Sequence, residues 1–220
     1  NLPGHNVTSL LEDARGRLWV GIDSGLWILD GGRFREIPGP HDGHTGIVWT
    51  MNAGENGEVW AQMLGPRRTA RIRDTGVVEE IPRERIPLSR AQVSDGHGGI
   101  WLSGRAGQLL HYNGGRLEQF PPQTAATRTP NYGESLRREP DGSIWVANRN
   151  GLFRWKDGTS LALSTRNGLP CPSVLASERD TSNNLWVLTT YGLSRIPKAE
   201  VTRWQQQPGA TLSLRTFDAL

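Results

Sequence analysis

Apolar residues fall in short runs separated by turn signals at roughly 8 to 12 residues, and nowhere outside the turns do they recur at helical spacing for three full turns. In the first stretch the runs are Val7 to Leu11, Leu18 to Ile22, Leu26 to Leu29 and Arg33 to Ile37, which predict four strands, A to D. Asp13-Ala14-Arg15-Gly16 separates A from B and Asp30-Gly31-Gly32 separates C from D, residues that accept positive φ at little steric cost. Equivalent turns follow at Asp95-Gly96-His97-Gly98-Gly99, Asn113-Gly114-Gly115, Pro140-Asp141-Gly142-Ser143 and Lys156-Asp157-Gly158.

The pattern is periodic. Trp19, Trp60, Trp101, Trp145 and Trp186 lie 41, 41, 44 and 41 residues apart. Each follows an aliphatic residue (Leu18, Val59, Ile100, Ile144, Leu185), and four are followed after six residues by Gly25, Gly107, Gly151 or Gly192. A period of about 40 to 45 residues suits helical solenoids and four-stranded propeller blades alike. With 27 glycines and 14 prolines, the composition decides for strands. The expected fold is all-β: a β-propeller of five four-stranded antiparallel blades, at about 1–38, 39–82, 83–121, 122–164 and 165–220, filling residues 1–220 as a single propeller region. The second unit carries Gly65-Pro66-Arg67-Arg68 where the glycine-leucine step should fall, so its B-to-C connection is expected to be remodelled. A lone four-stranded sheet cannot bury both faces, which assigns the five periodic tryptophans to packing between blades.

Composition narrows the chemistry. The net charge is +3, but only Lys156 and Lys198 are lysines; arginine is spread through turns and strand ends without a basic block, which argues against nucleic acid as a partner. Cys171 is the single cysteine, so no intrachain disulfide and no cysteine-based zinc site is expected. His5, His41, His44, His97 and His111 have no regular metal spacing, and neither metal nor cofactor is expected. The chain begins at Asn1, with no apolar run of membrane length and no signal segment, which reads as a piece of a longer protein.

The run Asn1-Leu2-Pro3-Gly4-His5-Asn6-Val7, with Leu11-Glu12-Asp13, Gly16, Leu18-Trp19-Val20-Gly21 and Gly25-Leu26, resembles the two-component regulator propeller repeat. The fifth unit repeats the signature in Asn167-Gly168-Leu169-Pro170, Ser173-Val174, Asp180, Asn184-Leu185-Trp186-Val187 and Gly192-Leu193. The resemblance implies the periplasmic or extracellular part of an inner-membrane sensor. Such parts often hold two seven-bladed propellers and an immunoglobulin-like domain ahead of a transmembrane segment and a histidine kinase or other output. In the best-studied branch the ligands are glycan fragments. Five units are fewer than seven, so the blades either close as a five-bladed ring or form an arc of a larger propeller. In an arc, the end blades would self-associate or meet the remaining blades or domains of a longer sensor.

Propellers bind small molecules where the B-to-C and D-to-A connections converge. The residues expected there are Asp23, Arg67, Arg68, Arg105, Asn148, Arg149, Tyr191 and Tyr132, guanidinium, amide and aromatic groups suited to hydrogen bonding and stacking. The leading reading is a non-catalytic sensory domain for a small molecule. The alternatives are an enzyme like the streptogramin-lyase propellers, needing a histidine base at the channel mouth, and a protein-interaction scaffold. Of the histidines, only His41 and His44 fall on the right face, without an evident partner.

Overall fold

Four runs per repeat become four strands because each hairpin turn carries the residue its backbone needs. The computed structural model describes residues 2, 6–39, 43–64, 68–104, 108–120 and 133–217. The first blade comprises β1 (Val7–Glu12), β2 (Leu18–Ile22), β3 (Gly25–Asp30) and β4 (Arg33–Glu36), and the second β5 (Val48–Ala53), β6 (Val59–Met63), β7 (Arg68–Arg73) and β8 (Gly76–Pro82). β9 (Gln92–Ser94), β10 (Ile100–Ser103), β11 (Leu109–Asn113) and β12 (Arg116–Phe120) form the third. The fourth holds β13 (Ser135–Arg138), β14 (Ile144–Asn148), β15 (Gly151–Lys156) and β16 (Thr159–Leu163). The fifth holds β17 (Val174–Arg179), β18 (Leu185–Thr189), β19 (Gly192–Ile196) and β20 (Arg215–Phe217). Each sheet pairs its strands in chain order, giving five four-stranded antiparallel meanders, the blades of a β-propeller.

The chain forms two compact units, Asn1–Trp101 with His111–Glu118, and Leu102–Leu110 with Gln119–Leu220. The strands of the third blade are thus divided between them. In the first unit Trp19, Leu26, Ile28 and Ile37 of one blade meet Val48, Val59, Ala61, Met63, Ala70 and Ile72 of the next. In the second, Trp145, Leu152 and Leu163 meet Val174, Leu185, Val187 and Ile196. Trp19, Trp60, Trp101 and Trp145 are buried. Trp186 is half-buried and stacks on Phe217 at 5.7 Å.

A carboxylate six residues before the tryptophan closes most A-to-B turns. Asp13 Oδ1 accepts the backbone N–H of Arg15 and Arg17 at 2.9 and 3.1 Å, and Oδ2 accepts Trp19 Nε1 at 2.9 Å and Arg17 Nε at 2.8 Å. Asp180 repeats this with Ser182, Asn184 and Trp186 Nε1. Burial alone would raise the Asp13 carboxyl, but the donors from Trp19, Arg17 and Arg15 overcome it and hold the group at about 2. In the fourth blade the position is Glu139, which instead takes Arg137 at 2.9 Å and Arg179 of the fifth blade at 2.7 Å, leaving buried Trp145 Nε1 without a partner among the described residues.

Four of the scattered arginines serve the tryptophans directly. Guanidinium groups lie over the tryptophan rings, Arg17 at 5.6 Å from Trp19, Arg71 at 6.0 Å from Trp60, and Arg137 and Arg179 at 5.5 and 5.6 Å from Trp145. A planar, weakly hydrated cation can cover an aromatic face while ion-pairing at its edge.

A helix interrupts the fifth blade. Between β19 and β20 the chain forms α1 (Lys198–Gln206), which buries Val201 and Trp204, three residues apart on one face. Trp204 lies 5.8 Å from Trp145, and its Nε1 donates to the Ala162 carbonyl of β16 at 3.2 Å. Asn167 Nδ2 then donates to the Pro208 and Ala210 carbonyls at 2.8 and 3.0 Å, fastening the segment that leads to β20.

Candidate functional site

The B-to-C turns of the fourth and fifth blades are closed by short side-chain-to-backbone hydrogen bonds. In the second unit, Asn148 Oδ1 accepts from the Asn150 N–H at 2.8 Å, and Thr189 Oγ1 accepts from the Tyr191 N–H at 3.2 Å. Gly151 and Gly192 follow at φ of 140° and 124°, conformations that L side chains rarely adopt. These turns leave Arg149 and Tyr191 outside, the latter 68% exposed. Arg149 Nε stands 3.7 Å from Glu134 Oε1.

Bulges shape the neighbouring strand ends. The pairings of β1 with β2, β5 with β6 and β17 with β18 each slip by one residue near their start, at Val7/Ser9, Val48/Thr50 and Val174/Ala176. The extra residues, Thr8, Trp49 and Leu175, are all exposed. Sequence reasoning missed them. The signal was available, since each lies eleven residues before its periodic tryptophan, where the other two repeats carry Arg90 and Glu134.

The expected residues divide accordingly. Arg149 and Tyr191 are exposed on turns of the second unit. Asp23 sits on the β2–β3 turn of the first unit, where Asn6 Nδ2 donates to it at 3.3 Å. Arg68 and Asn148, read as connection residues, are instead strand residues: Arg68 begins β7 and Asn148 ends β14. Arg68 is buried and spent on Glu80, with Nε 2.6 Å from Oε1. Asn148 is wholly buried, with its Nδ2 unpartnered among the described residues. Arg67, Arg105 and Tyr132 lie outside the described residues.

Beside Arg149 the second unit offers Glu134, and its fifth blade exposes Leu175 and Leu188 as well as Tyr191. A guanidinium, a phenol, a carboxylate and apolar patches can hydrogen-bond and stack against a small polar molecule. Two of the described histidines lie elsewhere. His97 is in the A-to-B turn of the third blade, and His111 on β11 is engaged, its Nε2 2.7 Å from Asp95 Oδ2 and its ring stacked on Trp101 at 4.2 Å. His111, with Asn113 and the backbone N–H groups of His97 and Gly99, holds the Asp95 carboxyl well below the usual range against its burial. Among the described residues no group of histidine, cysteine and acidic side chains could hold a metal ion. A groove of about 320 Å³ under α1 is lined by Glu139, Asp141, Arg179, Lys198, Thr202 and Gln205. Glu139, Asp141 and Arg179 there are already paired.

No helix among the described residues is long and apolar enough to cross a membrane. No curated protein matches the chain by sequence. Among solved structures it is similar to one described as the extracellular domain of the hybrid two component system BT3049 from B. thetaiotaomicron, with a TM-score of 0.72 and 19% identity over 99% of this chain and 30% of that one. The corresponding domain of BT4673 from the same organism gives 0.61 and 18% identity over 92% and 30%. Virginiamycin B lyase from Staphylococcus aureus gives 0.68 and 14% identity over 97% and 70%. The chain thus spans less than a third of the length of the two sensor domains. At these identities the likeness establishes the propeller fold. The likeness to two component regulator propeller repeats read from the sequence holds at the first repeat, where the family's pattern matches residues 1–24.

Proposed function

We propose that this chain is a non-catalytic sensory propeller of a bacterial transmembrane signalling protein, placed outside the cytoplasm, that holds a small molecule at the B-to-C ends of its blades and relays occupancy to a kinase or other output domain. Glycan fragments are the first class to test. The observation that carries this reading is the pairing of rigid turns with exposed, non-repeating side chains: Asn148 and Thr189 fix the backbone while Arg149 and Tyr191 remain in solvent. The match to sensor repeats at residues 1–24 supports it.

Calorimetric titration with a panel of oligosaccharides and carboxylated sugars tests the reading. A hit should be lost in the Arg149→Ala/Tyr191→Ala double variant while the unfolding midpoint stays unchanged, because both side chains are exposed. Binding that survives the double variant but disappears on changing Val78, exposed on an outer strand, would move the functional surface to the blade edge and overturn the assignment.

A further inference from the structure

The glycine six residues after the periodic tryptophan is not needed for the same reason in every blade. Gly151 and Gly192 take positive φ, and a Cβ on Gly151 would also lie 2.5 Å from the Leu163 carbonyl oxygen. Gly25 has no such backbone demand. The three atoms nearest to a Cβ there are side-chain polar atoms, Glu36 Oε1 at 3.2 Å, Thr45 Oγ1 at 3.6 Å and Trp27 Nε1 at 3.8 Å. Three different polar groups therefore converge on the place where a side chain at this position would begin.

Among the described residues two of them are unsatisfied: wholly buried Thr45 has no hydrogen-bond partner for its Oγ1, and the buried Trp27 Nε1 has none either. Buried hydroxyl and indole N–H groups are rarely left so, because each has given up its water. The surroundings are held in place. Trp27 and Glu36 are cross-strand partners in β3 and β4, and the loop bearing Thr45 is pinched where the Gly39 N–H donates to the Gly43 carbonyl at 3.1 Å. A side chain on Gly39 would collide with the His44 carbonyl, so this neck also requires glycine. His44 Nδ1 lies 2.7 Å from Glu36 Oε1, and its side chain is 60% exposed, placing the rim of the space in solvent.

We propose that the space before Gly25 is a binding site for one neutral hydroxyl oxygen, which accepts from Trp27 Nε1, donates to Glu36 Oε1 and exchanges a hydrogen bond with Thr45 Oγ1. The donor set excludes the other classes. A cation would face the indole N–H, an anion the Glu36 carboxylate, and an apolar group would leave Trp27 and Thr45 unpaired. A hydroxyl-type oxygen can both accept and donate, and buried waters typically make about three such bonds. Water supplies this chemistry, and so does the hydroxyl of a polyol entering past His44.

Atomic-resolution crystals of the whole chain, grown without polyol and then soaked in glycerol, test the site and separate the two sources. A peak within hydrogen-bonding distance of Trp27 Nε1 and Thr45 Oγ1 that is unchanged by the soak identifies water, whereas density that grows to include carbon identifies a polyol hydroxyl. An empty space, or Trp27 and Thr45 bonded directly to protein groups, overturns the proposal. Substitution gives a second reading in solution. Gly25→Ser supplies a hydroxyl and should keep the urea midpoint and the slow exchange of the Trp27 indole proton, whereas Gly25→Ala fills the space without one and should lose both. Equal behaviour of the two variants also overturns it.

Discussion

Asp13→Asn isolates the contribution of one turn carboxylate. The replacement is nearly isosteric and leaves Oδ1 to accept the Arg15 and Arg17 backbone N–H groups, but it sets an NH₂ against Trp19 Nε1 and Arg17 Nε, both of which donate to Oδ2. The carboxyl is held at about 2 against an ordinary 3.8, a preference for the charged folded state worth about 2 kcal/mol. Trp19 is wholly buried, so its unpaired N–H costs about 1–3 kcal/mol more, partly overlapping the first figure. The expected loss at pH 7 is about 2–4 kcal/mol, a drop of roughly 1–2 M in the urea midpoint of the unit containing Asp13. The sign of the pH dependence follows from the depressed folded value. Stability from the charge is fully present above the unfolded carboxylate range near 4 and is lost as pH falls through about 2. Wild type and variant should therefore converge between about pH 4 and pH 2. A gap under about 0.5 kcal/mol at pH 7, or one that stays constant down to pH 2, would refute the reasoning.

Three further outcomes follow from contacts already described. Trp19→Phe should cost about 1–2 kcal/mol more than Trp145→Phe in urea titrations, since Trp19 Nε1 is bonded to Asp13 and Trp145 Nε1 has no partner to lose among the described residues. Gly151→Ala should destabilise by about 3 kcal/mol or more through its backbone clash and positive φ, whereas Gly209→Ala, facing open space, should stay within about 0.5 kcal/mol by thermal denaturation. Glu139→Gln should cost about 3 kcal/mol by removing the anion shared by Arg137 and Arg179, and hydrogen exchange should show the loss in both β13 and β17.

The strands of the repeat were readable because turn residues and hydrophobic spacing are local. The run predicted at Leu18 to Ile22 is β2 itself, and the other three of that blade agree to within a residue at each end. The site was less readable because exposure depends on partners distant in sequence. Arg68 was expected to face a ligand, but Glu80, across the β7–β8 hairpin, takes it. The sequence pattern places Asn148 in a turn, yet it is the last residue of β14 and its side chain serves the turn from inside. Trp49 owes its exposure to a bulge, which single-residue propensity does not reveal. α1 escaped notice because nine residues with two buried side chains are too short for a helical period to register.

That helix changes how its part of the chain should come apart. In an array of repeats each module is stabilised by itself and by its neighbours, so unfolding can spread one module at a time. Here a segment of the fifth blade reaches back to the edge strand of the fourth through Trp204 and Ala162, and Asn167 secures the return of the chain toward β20. Losing either blade forfeits this second attachment along with the first. The fourth and fifth repeats are therefore a single cooperative module, and in a tethered pulling experiment they should yield together, in one extension step spanning both.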